Sequence, residues 1–157
     1  MPHGRDDSRE PTNTKQTAFT GRCHCGAIGY VYRTALAPEQ WFVRTCQCSF
    51  CRAHGVVSTS DPAGTVELSA REGALQLYRF GQRTADFWIC RECGVYMAAV
   101  MESGGRRYAV INVQALENRP PTLAAPTESS LDGESKGATR RAPFETLDAR
   151  RLASRAA

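Results

Sequence analysis

Apolar positions come in short runs, each stopped within a few residues by glycine, proline or a polar cluster. Ile28–Tyr32 reads as one strand and Trp41–Thr45 as a second. Val56–Ser60 reads as a third, stopped by Asp61-Pro62. Thr65–Leu68 and Ala74–Phe80 follow, the latter setting Leu75 and Leu77 against Gln76, Tyr78 and Phe80. Thr84–Ile89 is next, and Val95–Met101 and Tyr108–Val113 flank Gly104-Gly105, the pattern of a hairpin. No segment here carries a long stripe at helical period; a turn of helix near Gln47–Ala53 is the exception. Strands at such short intervals predict a mainly β domain of short antiparallel strands.

The ends read differently. Residues 1–17 are polar and aperiodic, and are expected to form a disordered arm. Residues 119–157 read as a linker rich in Pro, Ala and Ser, then a basic tail with a short helix near Glu145–Ser154. The β domain is thereby expected over 18–118, with no internal repeat.

Composition narrows the class. At 157 residues, 41% hydrophobic and 23% charged, the chain suits one globular domain with a real core. It is not collagen-like, a coiled coil or wholly disordered. No apolar run approaches the ~18 residues of a membrane span. The polar N-terminus has no apolar h-region, so a cytoplasmic location is expected. The net charge of +4 rests almost wholly on arginine, the lysines being Lys15 and Lys136. That is a weak signal for nucleic acid, whose binders concentrate charge on one face. The densest basic cluster, Arg140, Arg141, Arg150, Arg151 and Arg155, lies in the tail, where it serves solubility or an acidic partner.

Cysteine changes the picture most. The seven cysteines fall in three clusters: Cys23 and Cys25; Cys46, Cys48 and Cys51; Cys90 and Cys93. None stands alone, as it would if used as a small core residue. A disulfide framework fits poorly with an odd count and a reducing compartment. A thioredoxin-like role for Cys90 and Cys93 fits poorly too, because they sit between strand-like runs rather than opening a helix. Zinc fits well, since thiolate is a favoured ligand. Cys-x-x-Cys before glycine is a knuckle, and Gly94 can take the positive φ its turn needs. At least one zinc site is therefore expected. Seven also divides into four, from the outer two clusters, and three, from the central one. Three protein ligands with an open fourth position mark catalytic zinc.

These clusters, in order and spacing, resemble the glutathione-dependent formaldehyde-activating enzyme family, which also includes centromere protein V. The resemblance runs from about Gly21 to Leu116. It is carried by Gly21-Arg-Cys-His-Cys-Gly26 with Ile28 and Tyr30, by Cys46-Gln-Cys-Ser-Phe-Cys-Arg-Ala-His-Gly55, and by Cys90-Arg-Glu-Cys-Gly94. Asp132-Gly-Glu-Ser135 also looks like a family tail element. The resemblance implies a β-tent fold with two zinc sites. It implies a structural zinc on Cys23, Cys25, Cys90 and Cys93. It implies a second zinc on Cys46, Cys48 and Cys51, open at its fourth position and catalytic. The family label implies carbon–sulfur lyase chemistry on glutathione and formaldehyde, although members are functionally diverse.

The chemistry suits these residues. A coordinated thiol is deprotonated outright, and zinc polarises a carbonyl as a Lewis acid; both need a vacant ligand position. His54 is open to three readings: fourth ligand, proton shuttle or solvated loop residue. His24, between two sulfur ligands, reads as structural and directed away from their zinc. Arg52 reads as exposed, or as a carboxylate contact for a glutathione-like substrate. Phe87 and Trp88 read as core, or as an aromatic wall for the substrate. The expected function is a zinc-dependent lyase-type enzyme acting on a small thiol–aldehyde adduct. The alternatives are a non-catalytic zinc-stabilised binding module and a glutathione carrier.

Overall fold

The computed structural model describes residues 15–81, 83–129 and 142–146. The first sheet begins with β1 (Thr17–Arg22), β2 (Ile28–Thr34) and β5 (Thr65–Ala70), each antiparallel to the next. In β2 and β5 every second residue is buried, so one face carries Ile28, Tyr30, Tyr32, Val66 and Leu68 into the core. The second sheet is built on β6 (Leu75–Tyr78), β7 (Ala85–Cys90), β8 (Tyr96–Ser103) and β9 (Arg106–Asn112), all antiparallel. It continues from β9 through β4 (Ser58–Thr59) and β3 (Arg44–Cys46) to β10 (Thr127–Ser129), which runs parallel to β3. β11 (Ala142–Thr146) joins the sheets, parallel to β5 and antiparallel to β9. The architecture is mainly β with antiparallel sheets, as the strand spacing predicts.

The hairpin expected at Gly104-Gly105 is present. Ser103 pairs with Arg106, and the glycines take φ of 60° and 75°. Positive φ at both central residues gives the turn whose twist matches the strands. The helical turn expected near Gln47–Ala53 is α1 (Ser49–His54), closed by Gly55.

Other boundaries shift for local reasons. The strand read at Trp41–Thr45 contributes only Arg44–Cys46, because Trp41 closes a 3₁₀ turn (Pro38–Gln40) and Val43 N–H bonds back to the Trp41 carbonyl. Of Val56–Ser60, only Ser58–Thr59 pairs as a strand. β1 goes unread in the sequence: it is an edge strand, paired along its length with β2 and bridged at Gly21 to Leu116, and only Gly21 in it is buried. Its first residue, Thr17, belongs to the segment read as an arm. Ala142–Thr146 is strand where a helix is expected to begin near Glu145. Residues 1–14 of the expected arm, Asp132–Ser135, the tail arginines and 147–154 of the expected helix lie outside the described residues.

The core forms two apolar clusters. The main one gathers Tyr32, Trp41, Leu68, Met97 and Ile111 from both sheets, and includes Cys23 and Cys90. The smaller holds Cys46, Cys48 and Cys51 with Val56, Tyr96 and Ala99. Cys23 and Cys90 thus lie in one apolar cluster and Cys46, Cys48 and Cys51 in the other, while Cys25 is exposed.

Candidate metal centre

The loop after β1 folds tightly. Cys23 N–H donates to the Ile28 carbonyl (2.9 Å) and Gly26 N–H to the Cys23 carbonyl (3.0 Å). This presents Cys23 and Cys25 from one turn. At the end of β7 the knuckle closes likewise: Gly94 N–H reaches the Cys90 carbonyl (2.8 Å) and Cys90 N–H the Val95 carbonyl (2.9 Å). Gly94 has φ +77°, the positive value expected of it.

The two turns meet. The sulfurs of Cys23, Cys25, Cys90 and Cys93 all lie within 4.8 Å of one another. Four sulfurs about 2.3 Å from one tetrahedral ion would stand about 3.8 Å apart. Cys23–Cys25 is 3.7 Å and Cys25–Cys90 is 3.5 Å. Ile28 N–H also donates to Cys23 Sγ at 3.2 Å. Cys93 and Cys25 are pushed in opposite directions. Burial raises the Cys93 thiol, but hydrogen bonds from the Cys25 and Val95 backbones and from neighbouring sulfurs outweigh it, bringing it down to about 6. The Ala27 backbone lowers Cys25, but desolvation and its bonds to Cys90, Cys23 and Cys93 carry it up to about 12. Thiols crowded this way resist common ionisation unless a cation sits among them. The set fits a closed thiolate site for zinc.

The second set is local. Cys46 ends β3, and Cys48 caps α1, its sulfur accepting the Cys51 N–H at 3.4 Å. The first helical turn then brings Cys51 back beside them. These three sulfurs also lie within 4.8 Å of one another. All three residues are buried, 6–9% exposed. Hydrogen bonding to Cys46, then burial, pushes the Cys51 thiol far up. Burial likewise raises Cys48. Ionising this apolar group needs a positive charge among the sulfurs, which a metal ion supplies. Among the described residues no further His, Cys, Asp or Glu ligand atom joins the three.

An aromatic group covers them. Phe50 of α1 stacks on His54 (4.3 Å between ring centres) and lies 4.7 Å from Phe87, 5.3 Å from Phe80 and 5.5 Å from Tyr96. Phe87 therefore stands against the three-cysteine cluster, and Trp88 is buried in the main core. Arg52 is exposed on α1.

A cavity of about 500 Å³ opens where the sequence offers no signal. His24 and His54 both line it, with Arg22, Tyr96, Asn112 and Gln114. Asn112 and Gln114 come from the end of β9 and the 3₁₀ turn after it, Val113–Ala115. No local spacing links them to the cysteines.

The model of the glutathione-dependent formaldehyde-activating enzyme family matches residues 18–130. This chain belongs to that family. The family is glutathione-related and formaldehyde-activating, and it binds zinc in general. The resemblance read from the cysteine blocks is thus confirmed. The chain is also similar to a protein from Rhodobacter sphaeroides whose crystal structure was solved as a structural-genomics target. The two share 32% identity with a TM-score of 0.54, over 69% of this chain and 99% of that one. No curated protein matches. Among the described residues no helix is long and apolar enough to cross a membrane.

Proposed function

We propose that this chain is a zinc-dependent carbon–sulfur lyase-type enzyme for a thiol–aldehyde adduct of the S-hydroxymethylglutathione kind. Cys46, Cys48 and Cys51 form its catalytic zinc site, open at the fourth position. Cys23, Cys25, Cys90 and Cys93 hold a second, structural zinc. The domain is a small β-tent centred on 18–118, with β10 and β11 from the following segment added to its sheets, and it works in the cytoplasm, where thiols stay reduced. The observation that carries this reading is the three-sulfur set: buried, within 4.8 Å, with no fourth described ligand, in a chain of this family.

In the adduct-forming direction the thiolate sulfur attacks the aldehyde carbon, a C–S bond forms and the carbonyl oxygen takes a proton. In the reverse direction the hydroxyl loses its proton, C=O re-forms and the C–S electron pair stays on sulfur. Zinc, when bound, supplies deprotonation of the thiol and Lewis acidity. The chain's residues do the rest. Phe50, Phe87 and Tyr96 keep bulk water from the sulfurs, which strengthens every charge interaction there. His54, held by its stack on Phe50 at the cavity wall, carries the proton on a ring nitrogen between the substrate hydroxyl and solvent. The closed set in the main core fixes the β1–β2 loop against the end of β7.

The test is the exchange rate between formaldehyde, glutathione and their adduct, followed by NMR on the zinc-loaded chain. The reading requires exchange faster than in buffer and its loss in Cys48→Ala. Glutathione binding with an unchanged exchange rate would instead make the protein a carrier.

A further inference from the structure

The two cysteine sets differ in what solvent can reach. Cys46, Cys48 and Cys51 are all buried, and Phe50, Phe80 and Phe87 pack against their cluster. In the other set Cys23 and Cys90 are buried, Cys93 is half-buried and Cys25 is exposed. Cys25 sits at the bend of the loop after β1, between His24 and Gly26, which are exposed as well. Glu92 Oε2 stands 3.6 Å from Cys25 Sγ, but Glu92 is itself half open to solvent, in a surface pair with Arg71.

Oxidation of a thiol to a disulfide needs one sulfur that the oxidant can reach and a second one close enough to resolve the product. Cys25 meets both conditions. Cys90 Sγ lies 3.5 Å away and Cys23 Sγ 3.7 Å. Cys23 is two residues away on the same turn, so a bridge to it closes a small, strained ring. Cys90 comes from the end of β7, 65 residues along the chain, and is free of that constraint.

We propose that Cys25 is an oxidative modification site: hydroperoxides react there first, and a Cys25–Cys90 disulfide replaces the metal tie of the four-cysteine set. The Cys25 sulfur attacks the O–O bond and becomes a sulfenic acid. The Cys90 sulfur then attacks the Cys25 sulfur, the S–O bond breaks and the S–S bond forms. The two sulfurs give up two electrons. The hydroperoxide takes these with two protons and leaves as an alcohol and water, or as two waters from hydrogen peroxide. Two of four ligands are thereby lost, and a tetrahedral zinc is no longer held. The disulfide still joins the β1–β2 loop to the end of β7, so thiol exchange and fresh zinc restore the site. This rests on the structural zinc of the proposed function and is independent of the lyase chemistry.

The zinc-loaded full chain is treated with one equivalent of hydrogen peroxide. Metal still bound is counted after gel filtration, and bridged cysteines are mapped by alkylation and mass spectrometry. One zinc per chain should be lost, Cys25–Cys90 should be the first bridge, and dithiothreitol with zinc should reverse both. Cys25→His keeps a nitrogen ligand that zinc accepts. It should load two zincs and lose metal to peroxide about tenfold more slowly. A first bridge among Cys46, Cys48 and Cys51, any other first pairing, or Cys25 still alkylated when the first zinc leaves overturns the inference. So does an equal rate of loss in Cys25→His; if that variant loads only one zinc, the bridge mapped in the natural sequence decides alone. A four-cysteine set that holds no zinc before treatment would sink the structural-zinc assignment, and the mapped bridge would still judge Cys25.

Discussion

Asn112 links the cavity wall to the core through three bonds. Its Nδ2 donates to the Tyr96 carbonyl at 2.9 Å, its Oδ1 accepts Gln114 N–H at 3.1 Å, and its own carbonyl accepts the Tyr30 hydroxyl at 2.8 Å. It is 8% exposed. Asn112→Ala removes the two side-chain bonds from a buried setting, and should cost about 1–3 kcal/mol in denaturant unfolding. The cysteines separate by the apolar cluster they belong to. Cys90, 1% exposed in the main core, belongs to the set we assign a structural zinc. Cys90→Ala should unfold the domain or lower its Tm sharply, because structural zinc contributes folding energy outright. Cys48→Ala should lose one metal per chain with a smaller fall in Tm. An unchanged Tm in the first, or two metals retained in the second, would refute the division of roles.

Among the elements, β2 shows how burial becomes a pH response. Its alternate residues Tyr30 and Tyr32 face the core, and burial pushes both phenols above their ordinary value of about 10. A raised folded pKa contributes stability that is complete below pH ~10 and is lost as pH rises beyond it, where the unfolded chain ionises first. Phenolate absorbance from these two, isolated by comparison with Tyr30→Phe and Tyr32→Phe, should therefore appear with unfolding. A separate step near pH ~10 in the folded protein would contradict their placement.

The elements also show what was legible. The hairpin, α1 and the two-residue alternation of β5 follow from local turn chemistry and period, which a sequence displays directly. So does each cysteine cluster, because knuckles and Cys-x-Cys pairs place their sulfurs within one turn. β1 was hidden because an edge strand with one half-buried Phe19 carries no apolar pattern. The meeting of His24, His54, Asn112 and Gln114 was hidden for another reason. It depends on β1, α1 and β9 converging, which no spacing along the chain records. His24 reads from the sequence as structural and directed away from the zinc, and that convergence places it in the cavity wall.

On the scale of the whole molecule, the two apolar clusters give the two cysteine sets different standing. One set anchors Cys23 and Cys90 in the main core, with Cys25 exposed and Cys93 half-buried, and joins the β1–β2 loop to the end of β7, so a metal held there and the fold should rise and fall together. The other sits in the smaller cluster beside a cavity, on a short helix and a three-residue strand. Its metal can leave while the sheets stay paired. Metal content per chain, measured after mild chelation with and without glutathione, tests this most directly. The account predicts two zincs, one stripped readily and protected by glutathione, with the strand signal in circular dichroism unchanged by its loss. Two zincs that both resist chelation, or a single zinc indifferent to the thiol, would contradict it.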